Sequence, residues 1–281
     1  MVAAVVQLNS RAELAHNVEA AERQVRAAAS AGAELVALPE KWSLLGDGEM
    51  LAERAEPLEG EAIAAARDWA RELGIELLAG SVAERVPGEE RLANTSVMID
   101  RSGEITATYR KIHMFDVRVE GVSYAESSHE APGSEVVLAP AGELELGLTV
   151  CYDLRFPELH RILALRGAEA ISLPSAFTVP TGRAHWEVLV RARAIENQLF
   201  MLAPNQWGEA PPHYESWGHS LIVDPAGEVL ADAGEGVGFA VAELDLDHLR
   251  EIRADLPSLA NRRPEAYGWP EEGGEPDRSR G

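Results

Sequence analysis

Hydrophobic positions along the chain follow two different periods. Alternation and short apolar runs predict strands at residues 2–8, 34–40, 75–83, 94–100, 105–111, 144–150, 168–173, 198–205, 217–223 and 237–244. A period near 3.6 predicts helices over residues 14–28, 58–73, 155–166 and 183–197. Helices between strands, together with a hairpin around residues 101–103, favour mixed sheets covered by helices.

No change in composition and no internal repeat divides the sequence, so we expect one domain over residues 1–270. Residues 271–281 have almost no apolar side chain and are expected to form a mobile tail. With 281 residues, 46% of them hydrophobic, the chain can bury a large core.

The charge balance excludes some partners. A formal net charge of −22 argues against nucleic acid and against anionic membrane surfaces, because both would be repelled. The start of the chain lacks a basic flank and a cleavage site, and no apolar run is long enough to span a bilayer. A single cysteine suits a reducing compartment. We therefore expect a cytoplasmic protein.

Lysine is rare in this chain. Of 25 basic residues only Lys41 and Lys111 are lysines, and the others are arginines. A lysine kept in such a chain indicates a position where a compact ammonium is needed and a planar guanidinium does not fit.

Cys151 ends the apolar run 146–150 and precedes a helical pattern. A thiol at such a turn would face unpaired helix N–H groups, which favour the thiolate. The alternative is a small, inert, buried side chain. On this segment alone both interpretations stay open.

Polar residues also end two other predicted strands, at Glu40 and Lys111. In open α/β sheets, ligands lie beside strand ends. If the three side chains met, Glu40 could act as general base, Cys151 as nucleophile and Lys111 as oxyanion partner. Taken singly, Glu40 could be a helix cap or surface acid and Lys111 a solvated cation.

The chain around these residues resembles the nitrilase superfamily, the carbon–nitrogen hydrolases. Residues 38–40, 109–116 and 151–158 look like its three signature blocks. The similarity continues to about residue 267 through 174–177, 184–187, 191–197, 218–220 and 223–225. The resemblance implies an α+β fold, a four-layer α-β-β-α sandwich, with Glu40, Lys111 and Cys151 as catalytic triad.

The same resemblance implies hydrolysis through a thioester, without metal or cofactor. It implies that Glu126 positions substrate, although a solvated loop acid is the alternative because Glu130 lies nearby. A homodimer or higher homo-oligomer is expected through the helix after the cysteine and the helix carrying Arg191 and Arg193.

Cys151 is followed by Tyr152-Asp153, whereas true nitrilases usually carry Trp-Glu there, so the chain is most similar to the amidase branch. That branch contains deaminated glutathione amidase and ω-amidase. The resemblance implies a small carboxylated amide as substrate and an oxyanion contact from the Tyr152 backbone N–H. Arg155 and Thr181 would hold the carboxylate, although Arg155 could instead pair with Glu158.

Phe115 and Phe177 are expected to be pocket walls, unless they belong only to the core. N-carbamoyl or aliphatic amides are alternative substrates, with nitriles less favoured, and a scaffold with vestigial activity is the alternative class. No zinc, redox or phosphate-binding motif occurs in the sequence. We expect surface or packing roles for His213 and His219, and helix packing for His185.

Overall fold

Two six-stranded β-sheets form the centre of the protein, in a computed structural model that describes residues 1–210 and 214–267. The described helices are α1 (Leu14–Ser30), α2 (Gly48–Arg54), α3 (Glu61–Leu73), α4 (Pro157–Leu165), α5 (Val179–Asn197) and α6 (Leu246–Asp255). None of these helices has the length and hydropathy needed to cross a membrane. The tail expected at residues 271–281 lies outside the described residues.

The strands form the two large sheets and two short hairpins. They are β1 (Val2–Gln7), β2 (Leu35–Ala37), β3 (Glu76–Glu84), β4 (Ala93–Ile99), β5 (Ile105–Arg110), β6 (Asp116–Val119), β7 (Val122–Ala125), β8 (Leu138–Ala141), β9 (Leu144–Leu148), β10 (Ala170–Ser172), β11 (Phe200–Ala203), β12 (Trp207–Ala210), β13 (Tyr214–Trp217), β14 (Leu221–Val223), β15 (Val229–Asp232) and β16 (Gly238–Glu243). The first sheet has the order β16-β1-β2-β3-β4-β5 and the second β15-β14-β11-β10-β9-β8. Both are mixed, with parallel pairs in the middle and antiparallel pairs at the edges.

Alternation along β1 shows how the layers stack. Ala3 and Val5 belong to the core between the two sheets, whereas Ala4 and Val6 pack with the apolar faces of α1 and α3. Helices α4 and α5 cover the outer face of the second sheet. The result is the four-layer α-β-β-α sandwich, an α+β fold, and that prediction is confirmed.

Several elements begin at other residues than the sequence pattern suggested. A 3₁₀ turn at Cys151–Arg155 precedes α4, which begins at Pro157 because a fixed proline φ suits the first helical turn. Helix α5 begins at Val179, so Thr181 lies in its first turn and not in a loop. The pattern did not reveal α2, α6, the β6–β7 and β12–β13 hairpins, β8 or β15.

Candidate active site

A cavity of about 360 Å³ opens beside the ends of β2, β5 and β9. Its lining includes every residue that the sequence singled out for catalysis or substrate positioning: Glu40, Lys111, Phe115, Glu126, Cys151, Tyr152, Arg155, Phe177 and Thr181. The fold therefore brings together side chains that are up to 141 positions apart in the chain.

Cys151 sits at a sharp turn between β9 and α4. Its φ of 46° is in the left-handed region, which costs a non-glycine residue on the order of 1 kcal/mol or more. Its N–H donates to Pro174 O at 2.9 Å, and the side chain is buried but reaches the cavity. Strain of this kind persists only where the surrounding structure fixes the turn.

The Asp153 carboxylate fixes this turn through hydrogen bonds to the backbone and to neighbouring side chains. Its Oδ2 accepts hydrogen bonds from Val150 N at 2.8 Å and from the Tyr109 hydroxyl at 2.7 Å. Its Oδ1 lies 2.7 Å from His113 Nδ1. Burial and the Asp153 charge raise the pKa of Tyr109, so the phenol stays a donor. The sequence blocks contained these residues, but no local pattern revealed that they support Cys151.

The Glu40 carboxylate is buried and held on both oxygens. Oε1 accepts from Asn94 Nδ2 at 2.8 Å and from Lys111 Nζ at 3.2 Å, and Oε2 accepts from Ala176 N at 2.9 Å. Asn94 and the Ala176 N–H were not predicted, because they belong to strand and loop segments remote in sequence. The contacts fix one orientation of a carboxylate that can accept a proton.

Lys111 is 1% exposed and lies between two carboxylates. Its Nζ is 2.9 Å and 2.8 Å from the Glu126 oxygens, in addition to the Glu40 contact. Burial alone would lower the pKa of Lys111, but Glu126 and Glu40 raise it well above its usual value. Lys111 is therefore a fixed cation and not a proton donor.

Glu126 is buried, so the alternative of a solvated loop acid is wrong. Phe115 N donates to its Oε2 at 2.6 Å. Burial would raise the pKa of Glu126, but Lys111 and Lys41 hold it far below its usual range. The carboxylate therefore stays charged beside the Lys111 ammonium.

The electrostatic surroundings of Cys151 decide which form of its side chain is favoured. Helix α4 begins at Pro157, six residues after Cys151, and not directly at the cysteine. Burial and the Glu40 charge raise the pKa of the thiol well above 9, with Lys111 opposing them. Both effects favour the neutral thiol over the thiolate, and the sulfur lies next to a carboxylate that can take its proton.

Arg155 carries its charge at the cavity wall. Within residues 1–210 and 214–267 no carboxylate lies within 4.0 Å of its guanidinium, so the alternative pairing with Glu158 is not formed. The guanidinium instead lies 5.3 Å from the Phe177 ring centroid, 5.9 Å from that of Tyr152 and 3.4 Å from His185 Nδ1. An unneutralised guanidinium in a cavity can bind an anionic ligand.

The remaining predicted side chains complete the wall. Thr181 Oγ1 lies 2.7 Å from Thr178 Oγ1. Phe115 packs against Tyr124 and Tyr152, with ring centroids 5.1 Å and 5.2 Å apart. The cavity thus combines aromatic side chains with the Arg155 guanidinium, which can bind a carboxylate.

Metal ligation finds no support in the described part of the chain, where no group of three or more His, Cys, Asp or Glu residues could hold an ion. His219 Nδ1 lies 3.0 Å from Asp232 Oδ2, and its ring stacks on Trp217. His213 lies outside the described residues.

The four-layer sandwich brings a thiol, a carboxylate and an ammonium together beside its strand ends. A family model described as carbon-nitrogen hydrolase matches residues 2–254. The chain belongs to the carbon–nitrogen hydrolase family and acts on carbon–nitrogen bonds other than peptide bonds.

Individual relatives point to the amidase branch. The chain is 41% identical over 268 residues to deaminated glutathione amidase of Synechocystis sp., covering 93% of this chain and 97% of that protein. It is 37% identical over 265 residues to omega-amidase NIT2 of Homo sapiens, covering 94% and 95%. The crystal structure of the C. elegans NitFhit protein superposes with a TM-score of 0.88 at 36% identity, covering 95% of this chain and 66% of that one. The resemblance seen in the sequence is confirmed.

Proposed function

We propose that this hydrolase is an amidase that converts the primary amide of a small carboxylated molecule to an acid and ammonia. The observation that carries the proposal is the joint burial of Cys151, Glu40, Lys111 and Glu126 in a cavity whose wall holds the unneutralised Arg155. Deaminated glutathione amidase and omega-amidase, the named relatives, fit this substrate class.

The reaction begins with transfer of the Cys151 proton to Glu40. The sulfur attacks the amide carbon, and the oxyanion is stabilised by Lys111 Nζ and the Tyr152 backbone N–H. Glu40 returns the proton to the leaving nitrogen, and ammonia departs as the carbon–nitrogen bond breaks. Glu40 then takes a proton from water, whose oxygen attacks the thioester, and the proton returns to sulfur as the acid leaves.

Substrate binding involves other residues that line the same cavity. Arg155 offers a planar guanidinium for two parallel hydrogen bonds to a carboxylate, and Thr181 can add a third. Phe115 and Phe177 contribute apolar surface to the cavity. This arrangement favours carboxylated amides over simple aliphatic amides.

The proposed assembly is a homodimer. Helices α4 and α5 expose large apolar side chains, Ile162, Leu165, Val188 and Ile195, which a second copy would cover. Light scattering coupled to gel filtration would show a dimer that Val188→Glu converts to monomer. A cytoplasmic location is part of the proposal, since a nucleophilic thiol must stay reduced.

The function is tested by ammonia release from 2-oxoglutaramate, deaminated glutathione, N-carbamoyl amino acids, simple amides and nitriles. We expect turnover of the carboxylated amides, a thioester adduct by intact mass spectrometry, and a loss of at least ~10⁴-fold for Cys151→Ala. Turnover of nitriles alone would contradict the amidase assignment. A folded protein without turnover of any of these compounds would favour a scaffold.

A further inference from the structure

A second buried ion pair lies next to the site, and the mechanism above does not use it. Lys41 Nζ is 2.5 Å from Glu130 Oε1. Glu130 is 0% exposed, and its Oε2 has no hydrogen-bond partner among the described residues. A buried pair of this kind gains little stability after the cost of removing both charges from water, so stability alone does not account for its presence.

The pair is connected to the reaction through Glu126. Lys41 Nζ lies 3.7 Å from Glu126 Oε1, the oxygen that Lys111 Nζ contacts at 2.9 Å. Glu126 is therefore held between two ammonium groups, of which Lys111 is the proposed oxyanion partner. The position of this oxygen depends on both cations.

The backbone at Lys41 supports the same conclusion. In an extended chain, neighbouring side chains such as those of Glu40 and Lys41 point to opposite faces. Here Lys41 has a φ of 50°, and both side chains line the cavity. The strained turn is fixed by a hydrogen bond of 3.1 Å from Lys41 N to Ser81 Oγ. A left-handed lysine is costly, and such strain occurs mainly at functional sites.

We propose that Lys41, clamped by Glu130, is a positioning residue: it fixes the Glu126 carboxylate and, through it, directs the Lys111 ammonium to the place where the oxyanion forms. This inference rests on the proposed amidase reaction. It also explains why a lysine persists here in an arginine-rich chain, because a single Nζ can serve two carboxylates in a closed space.

The composition of the chain supplies a direct probe. Lys41 and Lys111 are its only lysines, so lysine labelled with ¹³C at Cε gives two signals in the full protein. In Lys41→Met the one remaining signal belongs to Lys111. We expect that signal to move and kcat for the amide to fall ~10–100-fold with KM within ~3-fold, since complete loss of an oxyanion donor costs ~10²–10³-fold.

Two further variants distinguish a positioning role of Lys41 from simple neutralisation of the Glu130 charge. Lys41→Met/Glu130→Gln removes both members of the pair and leaves no unpaired charge, so it also serves if Lys41→Met fails to fold. Arg101→Met is the matched control, because Arg101 Nε lies 3.1 Å from the buried Glu76 carboxylate, away from the cavity lining. We expect the double variant to keep the low kcat and the moved Lys111 signal, and the control to retain full activity.

A double variant with the kcat of the unaltered protein, or with the Lys111 signal in its original position, overturns the inference, because Lys41 would then only neutralise Glu130. An unaltered protein that hydrolyses no amide contradicts the proposed function instead. In that case the Lys111 signal still decides whether Lys41 positions the cluster.

Discussion

Glu130 should make the stability of this protein depend on pH in an unusual direction. The carboxyl group is fully buried, and only one of its oxygens has a hydrogen-bond partner among the described residues. Burial raises its pKa from 4.5 to about 7, with Lys41 opposing the rise and Glu126 adding to it. The informative perturbation is Glu130→Gln, which keeps the shape of the side chain and removes its titration.

The sign and size of this pH dependence follow from the difference between the Glu130 pKa in the folded and in the unfolded protein. Because the folded pKa lies above the unfolded one, folding binds a proton, and the stabilisation is complete below pH 4.5 and lost as the pH rises to about 7. At about 1.4 kcal/mol per pH unit the loss is about 3 kcal/mol. For a chain of this size that corresponds to a Tm change of about 6 °C.

The assay is the difference in Tm between Glu130→Gln and the unaltered protein in buffers from pH 4.5 to 8. We expect the variant to gain about 6 °C relative to the unaltered protein across this range. His129 titrates nearby, since burial and Lys41 lower its pKa below 6.5, but both proteins keep His129 and Lys41, so its effect cancels. A difference that stays constant with pH would refute the reasoning.

Two further predictions concern the walls of the site. Gly80 in β3 has a φ of 44°, and a Cβ there would lie 2.1 Å from Pro39 O, so Gly80→Ala should destabilise the protein by more than ~2 kcal/mol and reduce kcat by displacing Glu40; an unchanged Tm would contradict this. Arg155→Met should raise KM ~10–100-fold for a carboxylated amide and leave KM for an uncharged amide unchanged, because one charge-assisted contact is lost. Equal increases for both substrates would show that Arg155 shapes the pocket without binding the carboxylate.

The sequence predicted the site best where a reactive side chain ends a predicted strand. Short apolar runs placed β2 and β9, and the pattern around a hairpin placed β5. The residues that close these predicted strands, Glu40, Cys151 and Lys111, line the cavity in the fold. The alternation of strands and amphipathic helices predicted mixed sheets covered by helices, whereas the four-layer order came from the family resemblance. Short elements such as β6 and β7 were missed, since four residues with partly exposed side chains carry no clear period.

Contacts between distant segments were not predictable. Lys41 and Glu130 are 89 positions apart. Lys41 directly follows Glu40, and Glu130 lies four positions after Glu126, so each was overshadowed by a nearby residue with an apparent role. The scarcity of lysine was the one signal that could have found this pair. The support of Cys151 by Asp153 and Tyr109 is equally non-local, because it depends on how β5 lies against the turn.

The surroundings of Cys151 show how burial shapes the chemistry of the site. A local argument assigns charge from the nearest helix, whereas in the folded site the loss of water acts on every group at once. Opposite charges favour the charged forms of Lys111 and Glu126 despite their burial, whereas burial and the Glu40 charge both favour the neutral Cys151 thiol. Transfer of the thiol proton to Glu40 then moves negative charge from oxygen to sulfur without changing the total charge of the cavity. The nucleophile can therefore form in a place that excludes water, provided that Lys111 is already in position for the oxyanion that follows.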